Sequence, residues 1–380
     1  MGVTLSLTTG AVLAAVVGVA VGARWRPSER VGWAQLRRGL AASAVGGAVV
    51  GAVVGVVADL RIFGLVHLVY LGLTVTLPLL GLGVLALGVR RGSTRGVRLV
   101  AVALLLPAPV GAYATHVEPY RLQVDRVDVA VDPARAGSDP VRIAVLSDLQ
   151  TTGVGPHERR AVDEVLAAEP DIILLPGDLY QGSRADLEDD LADLRQLVGR
   201  LRAPHGVYFV RGDVDGGGDD DAQGSADAIL EGTDVRLLSD EVEVVRVGDR
   251  TLHIGGTRLD FGTASADAVR AELQDQPDDG AITILVSHRP DAMLALPPDS
   301  RVDLTVSGHT HGGQVVVPGY GPLVTLSAVP RDVARGGLHE VDGNRTYVST
   351  GVGIQRGDAP QVRLFSPPTV SILTLAEPQG

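Results

Sequence analysis

The chain has 380 residues, 45% apolar and only 3% aromatic, with a formal net charge of −12 and no cysteine. The charge is divided: residues 1–117 carry ten arginines against Glu29 and Asp59, a balance of +8, while residues 118–380 carry 23 arginines against 43 acids, a balance of −20. An apolar front with a few basic clusters and a strongly acidic rear belong in different solvents, which excludes a wholly soluble protein, and the missing cysteine excludes disulfides, thiolate nucleophiles and cysteine-held metals.

The front contains four apolar runs, Val3 to Ala23, Leu40 to Val57, Ile62 to Val89 and Leu99 to Val117. Each approaches the ~20 residues that a helix needs to cross a bilayer, and none has an amphipathic period. A transmembrane region of about four helices over residues 1–117 is therefore expected. A cleaved signal peptide is disfavoured because the first run lacks a basic leader. Arg24, Arg26, Arg30, Arg37 and Arg38 fall after the first run, and Arg90, Arg91, Arg95 and Arg98 after the third. Arginine-rich loops stay cytoplasmic, so four crossings deliver the rear half to the outside: a multi-pass protein of the cell membrane with an extracytoplasmic domain. The last run contains Pro107 and Pro109 and is the weakest span. Trp25 and Trp33 fall in the first basic loop, a place for interfacial indoles. Gly47, Gly51 and Gly55 form a small-residue stripe, and His67 is a lone intramembrane histidine without an acidic partner in any span, which speaks against a transport role.

Residues 118–140 read as a linker. Beyond them, β-branched runs alternate with amphipathic helices. Val141 to Ser147 is a strand ending at Asp148, His157 to Ala168 a helix, Asp171 to Leu175 a strand ending at Asp178, Leu187 to Leu201 a helix, and Gly206 to Val210 a strand ending at Asp213. This alternation indicates α/β organisation. The stretch Gly216 to Gly224 reads as an acidic loop, and Gly248-Asp249 as the turn of a hairpin. Two more strands, Ala281 to Ser287 and Val302 to Ser307, end at His288 and at Gly308-His309-Thr310-His311-Gly312-Gly313-Gln314.

Asp148, Asp178, Asp213, His288, His309 and His311 thus all stand at strand ends, where α/β sheets place their sites. A single strand-end aspartate is commonly a helix cap. Six ligand-type residues so placed point instead to divalent metal, and the mixture of carboxylate and imidazole suits manganese, zinc or iron.

At these positions the chain resembles the calcineurin-like metallophosphoesterases, and within them the membrane-anchored bacterial branch. The resemblance rests on LSDLQ (146–150), PGDLYQG (176–182), RGDVD (211–215), VSHRPD (286–291) and SGHTHGGQ (307–314), with YVSTGVG (347–353) and VRLFSPPTVSILTL (362–375) in the tail. It implies a four-layer α/β/β/α sandwich over residues 141–380 holding two divalent ions. Asp148 and His311 would hold the first ion, Asp178 would bridge, and Asp213, His288 and His309 would hold the second. Two ions ~3.5–4 Å apart lower the pKa of a bridging water and clamp the phosphoryl oxygens, so the implied reaction is phosphoester hydrolysis.

Three positions depart from the family pattern. Gln150 stands where the first motif has histidine, Asp213 where the third has asparagine, and Val214 where the third has a second histidine. The extra carboxylate strengthens divalent binding but makes the ion less electrophilic. The missing histidine removes a group whose loss costs ~10²- to 10⁴-fold in rate. His157 is a distant candidate for the position left open by Gln150, but its place at a helix start favours a surface role, and Arg289 suits either phosphate contact or an ordinary ion pair. The sequence therefore points to a membrane-anchored phosphoesterase acting on a phosphoester, with a lipid-linked or cell-envelope ester suggested by the anchor. The alternative is a catalytically impaired metal-binding or sensing domain on the same anchor. The −20 balance of the rear speaks against nucleic-acid partners.

Overall fold

The structure of the chain, a computed structural model, describes residues 30–57, 62–132, 137–216, 225–260, 263–277, 280–298 and 300–377, with Arg135 and a few single positions before residue 30. It forms two compact units, one of residues 1–117 with 356–362 and one of residues 118–355 with 363–380.

In the front unit the described helices are α1 (Trp33–Val57), α2 (Ile62–Arg91) and α3 (Arg95–Tyr120). Two of them, α2 and α3, are long and apolar enough to cross a membrane. Among the described residues the third and fourth expected spans meet this criterion, while most of the first, and Trp25, lie outside the described residues. The second expected span lies within α1, which starts earlier than the apolar run. Trp33, Arg37 and Arg38 are therefore helical rather than in a loop, because no proline or turn pair separates them from Leu40 and arginine is a good helix former. The run with Pro107 and Pro109 does form a helix, but Leu105 and Leu106 bond back only three residues, to Val102 and Ala103 (3.0 and 3.1 Å), just before Pro107. A proline cannot donate to the preceding turn, and the chain tightens there instead.

Leu36, Leu80, Val84, Val97 and Ala101 form the front unit's core. The close helix approach falls at Gly81, where an added Cβ would lie 2.6 Å from the carbonyl oxygen of Ala101, whereas one on Gly47 would meet nothing within 4 Å. His67 is buried and donates from Nδ1 to the carbonyl oxygen of Asp358 (3.1 Å), in the segment 356–362 of the same unit.

The rear unit contains two six-stranded sheets. The first has the order β1-β14-β2-β3-β4-β5, built from β1 (Gln123–Ala130), β2 (Val141–Val145), β3 (Ile172–Leu175), β4 (Val207–Phe209), β5 (Val235–Leu237) and β14 (Thr369–Ala376). The second has the order β12-β13-β9-β8-β7-β6, built from β6 (Glu241–Val247), β7 (Arg250–Gly256), β8 (Ile282–Val286), β9 (Leu304–Ser307), β12 (Gly337–Val341) and β13 (Asn344–Val348). A short hairpin of β10 (Val316–Val317) and β11 (Gly321–Pro322) stands apart from both. Gly248-Asp249 does turn β6 into β7, and most of the expected acidic loop at 216–224 lies outside the described residues.

Strand alternation sorts the side chains into layers. Ile143, Val145, Ile172 and Leu174 of the first sheet meet Leu252, Ile254, Ile284 and Val306 of the second in a core between the sheets. The residues between them, Ala144, Ile173 and Leu175, face outward against Ala161 and Val165 of α4 (Pro156–Ala167) and Leu194 and Leu197 of α5 (Arg184–Val198). On the far side Leu285 packs under Val269 and Leu273 of α6 (Ala264–Asp275). Helices, sheet, sheet and helix make four layers, the sandwich that the resemblance implied.

The stretch 118–140 is not a free linker. β1 pairs residue for residue with β14, from Gln123–Thr369 to Ala130–Ala376, and Asp125 accepts a hydrogen bond from the buried Tyr347 hydroxyl (2.7 Å). Its three charged residues disguise it in the sequence, because an edge strand keeps much of its surface wet.

Candidate metal centre

Strands β2, β3 and β4 run parallel, as do β7, β8, β9 and β13. Their C-terminal ends therefore gather on one edge of each sheet, and the loops beyond them carry the six residues singled out above. The chain turns sharply there: Asp148, Asp178, His309 and His311 hold left-handed backbone at φ 50°, 58°, 69° and 49°. Non-glycine residues enter that region at a cost that surrounding structure must offset, and such positions cluster at functional sites. Gly308 makes the approach possible, since a Cβ there would stand 1.9 Å from Ser147 Oγ and 2.2 Å from Asp148 Oδ2.

The six side chains converge. Asp148, Asp178 and His288 offer ligand atoms within 4.8 Å of one another, and so do Asp213, His288 and His309. His311 Nε2 lies 3.8 Å from Asp148 Oδ1. His288 thus belongs to both groups, whereas the resemblance gave the shared place to Asp178.

Each side chain is aimed by a neighbour. His288 donates from Nδ1 to the carbonyl oxygen of Pro176 (2.8 Å), which turns Nε2 toward Asp178 Oδ1, 3.5 Å away. Nδ1 of His311 lies 3.4 Å from Arg363 Nη2. The Nε2 atoms of His288 and His311 are both buried without a hydrogen-bond partner among the described residues. Buried imidazole nitrogens normally find a partner, and these two face carboxylates from an oriented ring, the arrangement of metal-ligating histidines. Divalent ions fit this donor set.

Asp148 accepts from the Ser147 hydroxyl and from the backbone N–H of His309 (3.0 Å). Asp178 accepts from the backbone N–H of Val214 (3.0 Å) and from Gln150 Nε2 (2.8 Å). Gln150 therefore presents its amide donor to the neighbouring carboxylate. His157, in the first turn of α4, is half-buried: it donates from Nε2 to the carbonyl oxygen of Val352 (3.0 Å) and packs edge-on against Tyr120, a structural tether rather than the surface place expected for it. Arg289 clamps Asp213 with two bonds, Nε to Oδ1 (3.0 Å) and Nη2 to Oδ2 (2.7 Å), the ion-pair alternative of the two open for it.

Charge is unevenly held. Burial pushes the Asp148 carboxyl up to about 6, with Asp178 adding to the rise and His288 opposing it. Burial also pushes Asp178 well up, helped by Asp215 and Asp213. Burial would raise Asp213 too, but the hydrogen bond from His309, the nearby His288 and the Arg289 clamp outweigh it and hold this carboxyl well below its usual range. His311 is pushed well down by burial and by the nearby Arg363 guanidinium. Asp148 and Asp178, both buried and close together, thus resist ionising together, and a divalent cation held between them would relieve that repulsion.

Two supporting residues escaped the sequence reading. Asp215 is fully buried and accepts from the backbone N–H groups of Asp178 (2.5 Å), Gly212 (2.7 Å) and Leu179 (2.8 Å), tying the loops after β3 and β4 together. Its signal was the second acid of RGDVD. Arg363, also fully buried, donates to the carbonyl oxygens of Thr350 (2.7 Å), Ser366 (3.0 Å) and Gly353 (3.0 Å), and so braces the loop behind His311.

Residues 141–313 match the family model described as calcineurin-like phosphoesterase. Over these residues the chain is similar to calcineurin-like phosphoesterase domains. The chain is similar to the uncharacterized metallophosphoesterase YkuE of Bacillus subtilis, 26% identical over 69% of this chain and 88% of that one. It is likewise similar to an uncharacterized metallophosphoesterase of Aquifex aeolicus, 28% identical over 72% of this chain and 97% of that one. A transmembrane protein with metallophosphoesterase domain from Bos taurus is 30% identical over 50% of this chain and 45% of its own length.

Proposed function

We propose that the chain is a membrane-anchored hydrolase of phosphoesters, with Asp148, Asp178, Asp213, His288, His309 and His311 as ligands of two divalent ions. The observation that carries this reading is the meeting of three carboxylates with two buried imidazole Nε2 atoms that have no hydrogen-bond partner among the described residues. When bound, such ions supply Lewis acidity, a lowered water pKa and a template for an in-line phosphoryl oxygen. The chain's own residues orient the ligands: Pro176 sets the His288 ring, Arg289 fixes Asp213 and, behind His309, helps hold it ionised, and Asp215 locks the two loops. At 214 the chain offers a valine and its backbone N–H, and that N–H is spent on Asp178. The leaving oxygen must then take its proton from solvent, which favours esters with acidic leaving groups.

The arginine pattern supports an extracytoplasmic domain, and the anchor supports a lipid-linked or cell-envelope ester. A second reading, a metal-binding or sensing domain without turnover, is favoured by Gln150 and Val214. To separate the two, the solubilised chain is loaded with manganese, zinc or iron in turn and assayed on generic phosphate mono- and diesters beside Asp178→Ala. Turnover that the substitution abolishes supports the hydrolase. Two bound ions with no such turnover leave the sensing domain.

A further inference from the structure

The rear unit is acidic almost throughout, yet residues 304–331 and 363–376 contain no aspartate or glutamate. These two stretches are neighbours in the fold. Val315 bridges to Leu364, Val316 donates to the carbonyl oxygen of Leu364 (2.9 Å), and Leu323 donates to that of Val315 (3.1 Å). They gather the hairpin of β10 and β11 beside the turn at Phe365. The surface so formed is apolar and wet: Val317, Tyr320, Leu323, Val324, Leu326 and Phe365 are each between 38% and 60% exposed. Leu326 and Phe365 hold left-handed backbone, at φ 50° and 56°. Bulky residues enter that region only where the structure holds them there, and here the strain accompanies outward display of large apolar side chains.

The surface also borders the site. The carbonyl oxygen of Leu326, four residues beyond β11, accepts from His309 Nε2 (3.2 Å), so the apolar surface is tied to a candidate ligand. Arg331 lies over the ring of Tyr320, 4.3 Å from its centroid, giving the rim one cation on an aromatic with a polar tip. Asp291, which accepts from the Ser327 hydroxyl (2.6 Å) and the Ala328 N–H (2.8 Å), borders the surface as a hydrogen-bonded acid; apolar bodies, an aromatic with a polar end and an arginine at the rim are the composition of surfaces that rest in the headgroup zone of a bilayer. The front unit's helices α2 and α3, apolar enough to cross a membrane, put a bilayer in the same molecule.

We propose that this hairpin and the Phe365 turn seat in the headgroup region of the lipid bilayer and present lipid-borne phosphoesters to the site. The substrate half of this proposal rests on the phosphoesterase reading, and the docking half does not. Docking is tested in the full chain reconstituted into nanodiscs. With Trp25 and Trp33 replaced by phenylalanine, a Leu323→Trp reporter is compared in ordinary and brominated phospholipid. Bromine quenching of the reporter is the expected result, and equal emission in the two lipids overturns the proposal. The substrate half is read from a triple variant, Tyr320→Ser, Leu323→Ser and Phe365→Ser, assayed on a short-chain water-soluble phosphoester and on the same ester carried by a long-chain lipid in vesicles. The variant is expected to lose at least tenfold on the vesicle ester and to stay within about twofold on the soluble one. Equal loss on both, or no loss on either, overturns it. A quenched reporter in a chain that hydrolyses neither ester refutes the phosphoesterase reading and the substrate half with it, while the docking half stands.

Discussion

At the residue scale the centre is defined by carboxylates that resist ionising together. Asp148 carries the clearest consequence, with its carboxyl pushed by burial from 3.8 up to about 6. Across that window the folded, ion-free chain keeps a proton that the unfolded chain has lost. Its contribution to stability is therefore complete below about 3.8 and declines as pH rises toward about 6. Metal binding needs the ionised carboxylate and strengthens over the same range. Thermal unfolding in chelator should fall between these pH values for the native chain, with a smaller slope for Asp148→Asn, and saturating manganese should reverse the trend. Val214 gives a second test. Replacing it by histidine supplies an imidazole where the leaving oxygen needs a proton, and turnover of esters with poor leaving groups should rise by ~10²-fold or more. Steady-state assays of Val214→His against the native chain, on a leaving-group series, check this: the gain should shrink as the leaving group becomes more acidic.

At the element scale, function depends on how closely two loops meet. Gly308→Ala would drive a methyl group into Ser147 and Asp148. On the proposed two-ion site, we expect elemental analysis to show less bound metal than in the native chain while far-UV circular dichroism stays native, since the collision is confined to loops beyond β2 and β9. Leu174→Ala acts differently, because Leu174 is wholly buried between the sheets. Deleting a buried leucine side chain costs ~2–5 kcal/mol, so denaturant midpoints should fall with little change in site composition. The strands that carry the candidate ligands were legible because their apolar runs end abruptly in Asp or His. β1 was not legible, because Asp125, Arg126 and Asp128 break the pattern and its partner, β14, lies more than two hundred residues away. The start of α1 was likewise hidden, since membrane-like composition begins later than helical backbone does.

At the scale of the whole molecule, the arginine clusters predict where the acidic domain resides. Fused at its C-terminus to a reporter that is active only in the cytoplasm, the chain should give a silent fusion. A bright one would place the domain inside and change the parity of the spans. The return of residues 356–362 to the front unit was invisible in the sequence: RGDAPQV is a polar, proline-containing stretch like many loops.

The sequence by itself determined the partition into an apolar front and an acidic rear, the α/β alternation, and the six residues at strand ends, because hydrophobic period and residue chemistry are local properties. Only the tertiary structure decided which atoms face one another. It turned Gln150's amide to Asp178, engaged Arg289 with Asp213, placed His288 in both ligand groups, and set Asp215 and Arg363 behind the site. Those outcomes depend on strand order and on left-handed turns that bring residues distant in sequence within hydrogen-bonding range. No period or spacing along the chain encodes such distances.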